Sequence, residues 1–196
     1  MKVLIACEFS GVVRDAFIAR GHDAMSCDIL QTDKPGPHYQ GDIFDVLNNG
    51  WDLMIAHPPC TYLSNSGVCH LHKSTDRWPK LFEGAAFFKR LLDAGIPRIA
   101  VENPIMHKYG KQLIGGVKQS QVVQPWMFGH TEQKATCLWL KGLPNLEPTN
   151  NVREAMMKLP KKSAREAALL TAKPGKSKIK KHYISRYSRC YGGTMD

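Results

Sequence analysis

Short apolar runs alternate with helix-like patterns over the first hundred residues of this chain. Residues 3–7 and 51–56 are apolar runs of strand length, whereas residues 81–94 repeat apolar side chains at helical spacing. Strands that alternate with helices in this way are typical of a parallel sheet covered by helices on both faces. The pattern therefore predicts an α/β fold built on a doubly wound, mostly parallel sheet.

The same patterns place the individual elements along the chain. We expect strands at residues 3–7, 23–28, 51–56, 98–102, 121–123 and 135–140, and helices at residues 12–20, at residues 81–94 and within residues 152–170. The composition changes near residues 144–151. We therefore divide the chain into a domain at residues 1–150 and an extension at residues 151–196.

Positive charge is concentrated in the extension. Residues 1–150 hold 15 Lys or Arg and 14 Asp or Glu. Residues 151–190 hold 12 Lys or Arg but only 2 Asp or Glu. Such a segment favours contact with a nucleic-acid backbone, because cations that neutralise phosphates release counterions, although a merely solvated segment has the same composition. The predicted nucleic-acid contacts in the extension are Lys161, Lys162, Lys178, Lys180, Lys181, Arg186 and Arg189.

The cysteines and the apolar runs indicate the compartment. No apolar stretch reaches the roughly 20 residues that cross a bilayer, and the amino terminus has no cleavable signal pattern. The six cysteines stand singly, which favours reduced thiols, and Cys69, His70 and His72 match no usual zinc spacing. We expect a soluble, cytoplasmic protein with no membrane partner and no metal site.

A cysteine follows a proline pair just beyond the apolar run at residues 51–56. Pro58 and Pro59 fix φ and remove two backbone donors, so the chain leaves the sheet in a fixed direction with the thiol at its carboxyl edge. This placement favours Cys60 as a nucleophile, whereas a small buried cysteine is the alternative.

A carboxylate ends the strand at residues 98–102. If that strand neighbours the one at residues 51–56, Glu102 lies beside Cys60. The pair suits addition to a pyrimidine ring, in which the thiolate attacks C6 and the carboxylic acid hydrogen-bonds N3. The thiol then needs a base or a local positive charge, and the sequence does not identify that group.

Three further loops follow predicted strands. In residues 8–11 a small residue lets the backbone approach a ligand and the next helix offers N–H groups, although the loop is not the dinucleotide-binding GxGxxG. Asp28 ends a predicted strand, at a position where a carboxylate can accept hydrogen bonds from ribose hydroxyls. Asp42 can accept a hydrogen bond from an adenine amino group. Each acid alone is also typical of a cap or turn.

Taken in order, these motifs resemble the motif series of DNA (cytosine-5)-methyltransferases over roughly residues 3–140. The matching positions are Phe9-Ser10-Gly11, Asp28, Gly41-Asp42-Ile43, Pro58-Pro59-Cys60, Leu63-Ser64, Gly67 and Glu102-Asn103. The resemblance implies the class I methyltransferase type of doubly wound sheet, S-adenosylmethionine as the cofactor and DNA as the partner. It also implies that residues 1–150 are the catalytic domain.

The resemblance also implies roles for the matching residues. Phe9, Ser10 and Gly11 line the methionine part of the cofactor, with Pro58 also in the cofactor site. Asp28 takes the ribose, and Asp42 and Ile43 hold the adenine. Cys60 bonds to C6 of cytosine, Glu102 contacts N3 and the exocyclic amine, and Asn103 lies against the nucleic acid. The target base must first leave the stack.

Two departures shape the expected activity. Where the family has a Gln-x-Arg-x-Arg segment, residues 128–134 contain no arginine, and Lys134 is the nearest basic match. The family's large target-recognition region is also missing, so sequence reading is weak, comes from the basic extension, or is delegated to a protein partner.

Other functions fit the same residues. One is a methyltransferase for RNA, a free nucleotide or an exocyclic amine, although amine-directed enzymes carry an aromatic residue where Cys60 stands. Another is a catalytically weakened module that binds DNA.

Overall fold

The computed structural model describes residues 1–158, which form a seven-stranded sheet with helices on both faces. The strands are β1 (Lys2–Ala6), β2 (Asp23–Asp28), β3 (His38–Gln40), β4 (Leu53–Ala56), β5 (Arg98–Pro104), β6 (Gln121–Val123) and β7 (Thr136–Lys141). The helices are α1 (Val12–Ile18), α2 (Ile43–Val46), α3 (Asn65–Val68), α4 (Arg77–Leu92), α5 (Lys108–Leu113) and α6 (Arg153–Lys158). Single 3-10 turns lie at Leu71–Lys73 and Pro125–Met127.

The strand order is β3-β2-β1-β4-β5-β7-β6. The first five of these strands run parallel, and β7 runs antiparallel to both β5 and β6. Every residue from Val3 to Ala6 and from Leu53 to Ala56 is buried, as expected for central strands covered on both faces. The prediction of a doubly wound, mostly parallel sheet is confirmed.

Each face of the sheet carries its own hydrophobic core. On one face α4 buries its apolar stripe against β1, β4 and β5, and Phe88 meets Trp139 of β7 edge to face with ring centroids 5.0 Å apart. On the other face, Val13 and Phe17 of α1 pack against Ile5. These two layers hold the carboxyl ends of the parallel strands in register.

Several element boundaries differ from the sequence-based expectation. The helix predicted to begin at residue 81 begins at Arg77, and β5 continues to Pro104 because its last residues pair with the start of β7 at Thr136. The polar strand β3 was not predicted. The helix expected within residues 152–170 is described only from Arg153 to Lys158, and the remainder lies outside the described residues.

Backbone hydrogen bonds hold the chain on both sides of the expected boundary at residue 150. The amide of Asn150 donates to the carbonyl oxygen of Met127 (3.2 Å), and that of Val152 donates to Trp126 (2.8 Å). The beginning of the extension is therefore fastened to the domain. Within residues 1–158 no helix is both long enough and apolar enough to cross a membrane.

Candidate active site

Parallel strands bring the predicted site residues to one edge of the sheet. The carboxyl ends of β1, β2, β3, β4 and β5 lie at the same edge, and the antiparallel direction of β7 brings its first residue there as well. The residues at this edge are Phe9, Ser10 and Gly11 after β1, Asp28 at the end of β2, Asp42 and Ile43 after β3, Pro58 and Cys60 after β4, Glu102 and Asn103 in β5, and Lys134 before β7.

Cys60 lies in a tight turn directly after β4. Its carbonyl oxygen accepts from the amides of Leu63 (3.1 Å) and Ser64 (3.0 Å), and its side chain is partly exposed. Gly67 packs so closely on the Thr61 carbonyl that a Cβ atom there would collide with it. The turn therefore presents the thiol from a fixed backbone. All five cysteines within residues 1–158 are free thiols.

Glu102 lies on the strand next to the Cys60 turn. The β4–β5 register pairs Ala56 with Val101, so His57 and Glu102 are the next residues on adjacent strands. His57 Nδ1 lies 3.0 Å from Glu102 Oε2, and the two side chains are 3% and 21% exposed. Sequence analysis missed His57. The available signal was a histidine at the end of a buried strand, immediately before Pro58.

The loop after β1 is closed by a buried carboxylate. Glu8 Oε1 accepts from the amide of Val12 (3.0 Å) and from the hydroxyl of Ser10. The amide of Val12, the first of α1, is therefore not available to a ligand, because Glu8 already occupies it. Phe9, between Glu8 and Ser10 in the sequence, has an exposed side chain that a ligand at this edge can contact.

Two features favour glycine at position 11: the backbone conformation there, and the close approach of a buried arginine. Its φ is 68°, in the left-handed region, and a Cβ atom would lie 2.5 Å from Arg14 Nη2. Arg14 is completely buried and donates to Ser26 Oγ (3.3 Å) and to the carbonyl oxygens of Lys34 (3.2 Å) and Pro35 (3.1 Å). The same side chain thus shapes the β1 loop and fastens the segment between β2 and β3.

Asp28 and Asp42 both cap local structure. Asp28 Oδ1 accepts from the amide of Leu30 (3.0 Å), and Asp42 Oδ1 accepts from the amide of Phe44 (3.0 Å) as the N-cap of α2. Gly41 donates to the Asp28 carbonyl oxygen (3.0 Å), which joins the ends of β2 and β3. The two carboxylates therefore belong to one acidic corner of the sheet edge.

That acidic corner affects a nearby thiol. Burial, reinforced by the charges of Asp28, Asp42 and Asp45, raises the pKa of Cys27 to about 12. Cys27 is therefore a neutral core thiol and not a second nucleophile.

An exposed apolar surface follows Asp28. Ile29 is 76% exposed and Leu30 is 53% exposed, although both are large aliphatic residues. Apolar side chains next to carboxylates suit a ligand that combines a flat ring with hydroxyl groups. Sequence analysis missed both residues. The available signal was the pair of aliphatic residues directly after the acid that ends a strand.

Two residues predicted to contact a ligand, Ile43 and Asn103, are buried. Ile43 is only 4% exposed and packs in the core, so its backbone alone is left for the predicted adenine contact. Asn103 has no exposed surface, because it lies in β5 opposite Cys137 of β7. Its predicted contact with nucleic acid is incompatible with this placement. Neither amide atom of Asn103 has a hydrogen-bond partner among the described residues.

Lys134 is exposed at the same sheet edge. It lies two residues before Thr136, which pairs with Pro104 at the end of β5. Its amide donates to Gln124 Oε1 (3.0 Å). The topology thus places Lys134 at the edge that carries Cys60 and Glu102.

The predicted contacts Lys161, Lys162, Lys178, Lys180, Lys181, Arg186 and Arg189 lie outside the described residues.

Aromatic and cationic side chains surround the segment that follows Cys60. The Arg77 guanidinium lies over the Tyr62 ring at 5.0 Å from its centroid, and Lys80 lies over the same ring at 5.9 Å. Trp78 and Tyr109 are 5.3 Å apart between ring centroids. Sequence analysis did not single out this group. It gives residues 62–80 a basic, aromatic character beside the thiol.

Several solved structures are similar to this chain in fold. A protein described as a DNA modification methyltransferase, encoded within an E. coli prophage, is 18% identical, with a TM-score of 0.45, and the match covers 82% of this chain and 55% of that one. A methyltransferase of Entamoeba histolytica is 13% identical, with a TM-score of 0.47 and coverage of 76% and 57%. The Dnmt2 methyltransferase of S. pombe is 12% identical, with a TM-score of 0.43 and coverage of 83% and 56%.

This chain therefore spans little more than half the length of each of those proteins. No family model matches the sequence, and no curated protein sequence matches it.

Proposed function

We propose that this protein methylates cytosine at C5 in DNA, with S-adenosylmethionine as the methyl donor and Cys60 as the nucleophile. The supporting observation is that Cys60 follows β4 and Glu102 lies near the carboxyl end of the adjacent parallel strand β5, at one sheet edge. Both side chains are partly exposed at that edge, so one ring can reach a thiol and a carboxyl group together.

The residues at the ends of β1, β2 and β3 fit the proposed cofactor. The carboxylates of Asp28 and Asp42 are acceptors for ribose hydroxyls and for an amino group. Ile29 offers exposed apolar surface for a purine ring, and Phe9 offers it for the methionine part. When bound there, S-adenosylmethionine supplies a methyl group carried on a positively charged sulfur. Pro58 is buried at the start of the turn that separates this region from Cys60.

The reaction then uses two groups of this chain. The Cys60 thiolate forms a bond to C6, and a hydrogen bond from the Glu102 acid to N3 offsets the charge that develops on the ring. This addition makes C5 nucleophilic towards the methyl group. A base, which solvent water can supply, then takes the C5 proton, and the Cys60 sulfur leaves C6 as a thiolate while the C5–C6 double bond re-forms.

Nucleic acid is the favoured substrate because of the surface beside the thiol. Arg77 and Lys80 carry positive charge next to Tyr62, and exposed Lys134 lies at the same edge of the sheet. Cations that follow a phosphate backbone, together with aromatic rings, are typical of surfaces that hold unstacked nucleotides. The target cytosine must leave the duplex to reach Cys60.

Nucleoside mass spectrometry tests this proposal. The full-length protein is incubated with S-adenosylmethionine and, in parallel, duplex DNA, single-stranded DNA, RNA or dCTP. We expect 5-methylcytosine in DNA with the wild type, none with Cys60→Ala, and unchanged amounts with Cys69→Ala, which removes an exposed thiol of the same segment. Product in RNA or dCTP alone would reassign the substrate. DNA binding without a methylated base on any substrate would favour the weakened binding module.

A further inference from the structure

His57 is held rigidly beside Glu102. Its amide donates to the carbonyl oxygen of Ala6 on β1 (3.0 Å), and Pro58 restricts the backbone that follows it. The ring is buried, with Nδ1 3.0 Å from Glu102 Oε2. The other ring nitrogen, Nε2, is also buried and has no hydrogen-bond partner among residues 1–158. One nitrogen therefore contacts the carboxyl group, and the other faces an environment without an acceptor.

This asymmetry decides where the pair can carry an additional proton. With the Nδ1 hydrogen directed at Oε2, a further proton can reside on Nε2, giving an imidazolium beside a carboxylate, or on Glu102, giving a neutral imidazole beside a carboxylic acid. The first arrangement buries a charged N–H donor without an acceptor, which is costly. The second puts the proton on the side chain that retains some exposure at the site edge.

We propose that His57 is a positioning residue that holds Glu102 in one orientation and directs the proton of the pair onto its carboxyl group. The proposal rests on the proposed function, in which Glu102 is the acid that faces N3 of cytosine. It assigns His57 no contact with the substrate. The imidazole acts through Glu102 alone.

The proton balance of the reaction follows from this arrangement. As the Cys60 sulfur bonds to C6, the C5–C6 electron pair moves to C4–C5, the C4–N3 electron pair moves to N3, and N3 takes the proton from Glu102. Glu102 is then a carboxylate, and the hydrogen on His57 Nδ1 stabilises its charge. When C5 takes the methyl group, the C4–N3 double bond returns and the proton goes back to Glu102.

Other titratable groups lie around the pair. Glu8 lies in the loop that follows the neighbouring strand β1, and its Oε2 also has no partner among the described residues, so no hydrogen bond joins it to His57 Nε2. Cys137 of β7 lies opposite Asn103, and its pKa is raised chiefly by burial. Cys60 lies three residues further along the chain. None of these groups provides His57 Nε2 with an acceptor.

Nitrogen-15 NMR of labelled histidine tests the tautomer without any activity assay. In the wild type we expect the His57 signals of a ring that carries its hydrogen on Nδ1, the nitrogen beside Glu102. Replacing Glu102 by Gln should shift the Nδ1 resonance and leave the signals of exposed His70 unchanged. A doubly protonated His57 ring, or a hydrogen on Nε2, would overturn the proposal.

Two variants test the consequence for catalysis. In His57→Asn, the side-chain amide can donate from about the place of Nδ1, whereas His57→Leu removes the donor. We expect His57→Leu to lower kcat about tenfold or more with little change in KM, and His57→Asn to recover most of the loss. Equal loss in both folded variants, or wild-type kcat in His57→Leu, would count against the positioning role. If wild-type protein makes no 5-methylcytosine, the proposed function fails, while the NMR result still decides the tautomer.

Discussion

Arg14 donates from Nη2 to the carbonyl oxygen of Pro35, 3.1 Å away, from a side chain that has no exposed surface. The same guanidinium bonds to Asp15 and to the Lys34 carbonyl oxygen. A Cβ atom on Gly36 would lie 2.7 Å from it. A helix on one face of the sheet thus holds the segment that ends at β3, close to the acidic corner of Asp28 and Asp42.

Replacing Arg14 by Met should destabilise the protein by about 2–4 kcal/mol, because the buried Ser26 hydroxyl and the carbonyl oxygens of Lys34 and Pro35 lose their donor. Urea unfolding measures the change. Arg90→Met is the matched control, since the Arg90 side chain is exposed and lies over the Phe44 ring. We expect the control to change the free energy of unfolding by less than about 1 kcal/mol. Equal effects in the two variants would show that the Arg14 hydrogen bonds do not stabilise the segment before β3.

Replacing Asp28 by Asn should weaken S-adenosylmethionine binding about tenfold. The amide retains an acceptor for the Leu30 backbone, so the turn is preserved, but the charged acceptor for ribose hydroxyls is lost. Isothermal titration calorimetry measures the Kd. Asp33→Asn is the control, because Asp33 is exposed in the same segment. Equal affinity in wild type and Asp28→Asn would remove the ribose assignment.

The thiols should react with an alkylating reagent in a defined order. Burial raises the pKa of Cys27 to about 12 and also raises that of Cys137, whereas Cys69 is exposed and Cys60 is partly exposed. At about pH 8 we expect Cys69 and Cys60 to be labelled first and the two core thiols only on unfolding. Peptide mass spectrometry at successive times checks the order. Early labelling of Cys27 in the folded protein would contradict its placement.

Acidification should weaken the start of α5. The neutral His107 ring accepts from the Tyr109 amide through Nδ1 (3.2 Å), and burial, Lys108 and His72 lower the pKa of His107 below its ordinary 6.5. The unfolded state therefore binds the proton more readily, and stability is lost as the pH falls below about 6.5. His107→Asn keeps an acceptor that does not titrate, so urea unfolding at about pH 7.5 and 5.5 should give a smaller loss. The same loss in both proteins would contradict this role.

The basic extension should dominate the salt dependence of DNA binding. Residues 171–190 contain seven Lys or Arg and no Asp or Glu. Deleting them should weaken binding and reduce the slope of log K against log salt, because fewer counterions are released. Fluorescence anisotropy with a labelled duplex at several salt concentrations measures both. An unchanged slope would assign the phosphate contacts to other residues, such as Arg77 and Lys80.

The layout of the sheet was predictable, because its central strands are continuous apolar runs. The edge strand β3 was not, since His38, Tyr39 and Gln40 carry no apolar pattern and the strand forms by pairing with β2. Cys60 and Glu102 were recognisable as candidates from their positions after strands. Their neighbour His57 was not, because its bond to Glu102 arises only once β4 and β5 are adjacent.

The burial of the polar side chains Arg14 and Asn103 could not be predicted from the sequence pattern either. An arginine in an amphipathic helix is ordinarily a surface residue. Arg14 is fully buried because it bonds to the Ser26 hydroxyl of β2 and to carbonyl oxygens of the segment after β2. The contact of Asn103 with nucleic acid was implied by the family resemblance, and the residue motif does not show that β7 pairs with this end of β5. Only the pairing of Asn103 with Cys137 settles this point.

The sheet ends in very short strands on both sides. The outermost strands are β3 (His38–Gln40) and β6 (Gln121–Val123), each three residues long. A strand of that length offers few unpaired backbone groups to an incoming chain, so these edges are poor templates for intermolecular strand pairing. At high concentration during expression or refolding, the folded domain therefore has little tendency to aggregate through its sheet edges.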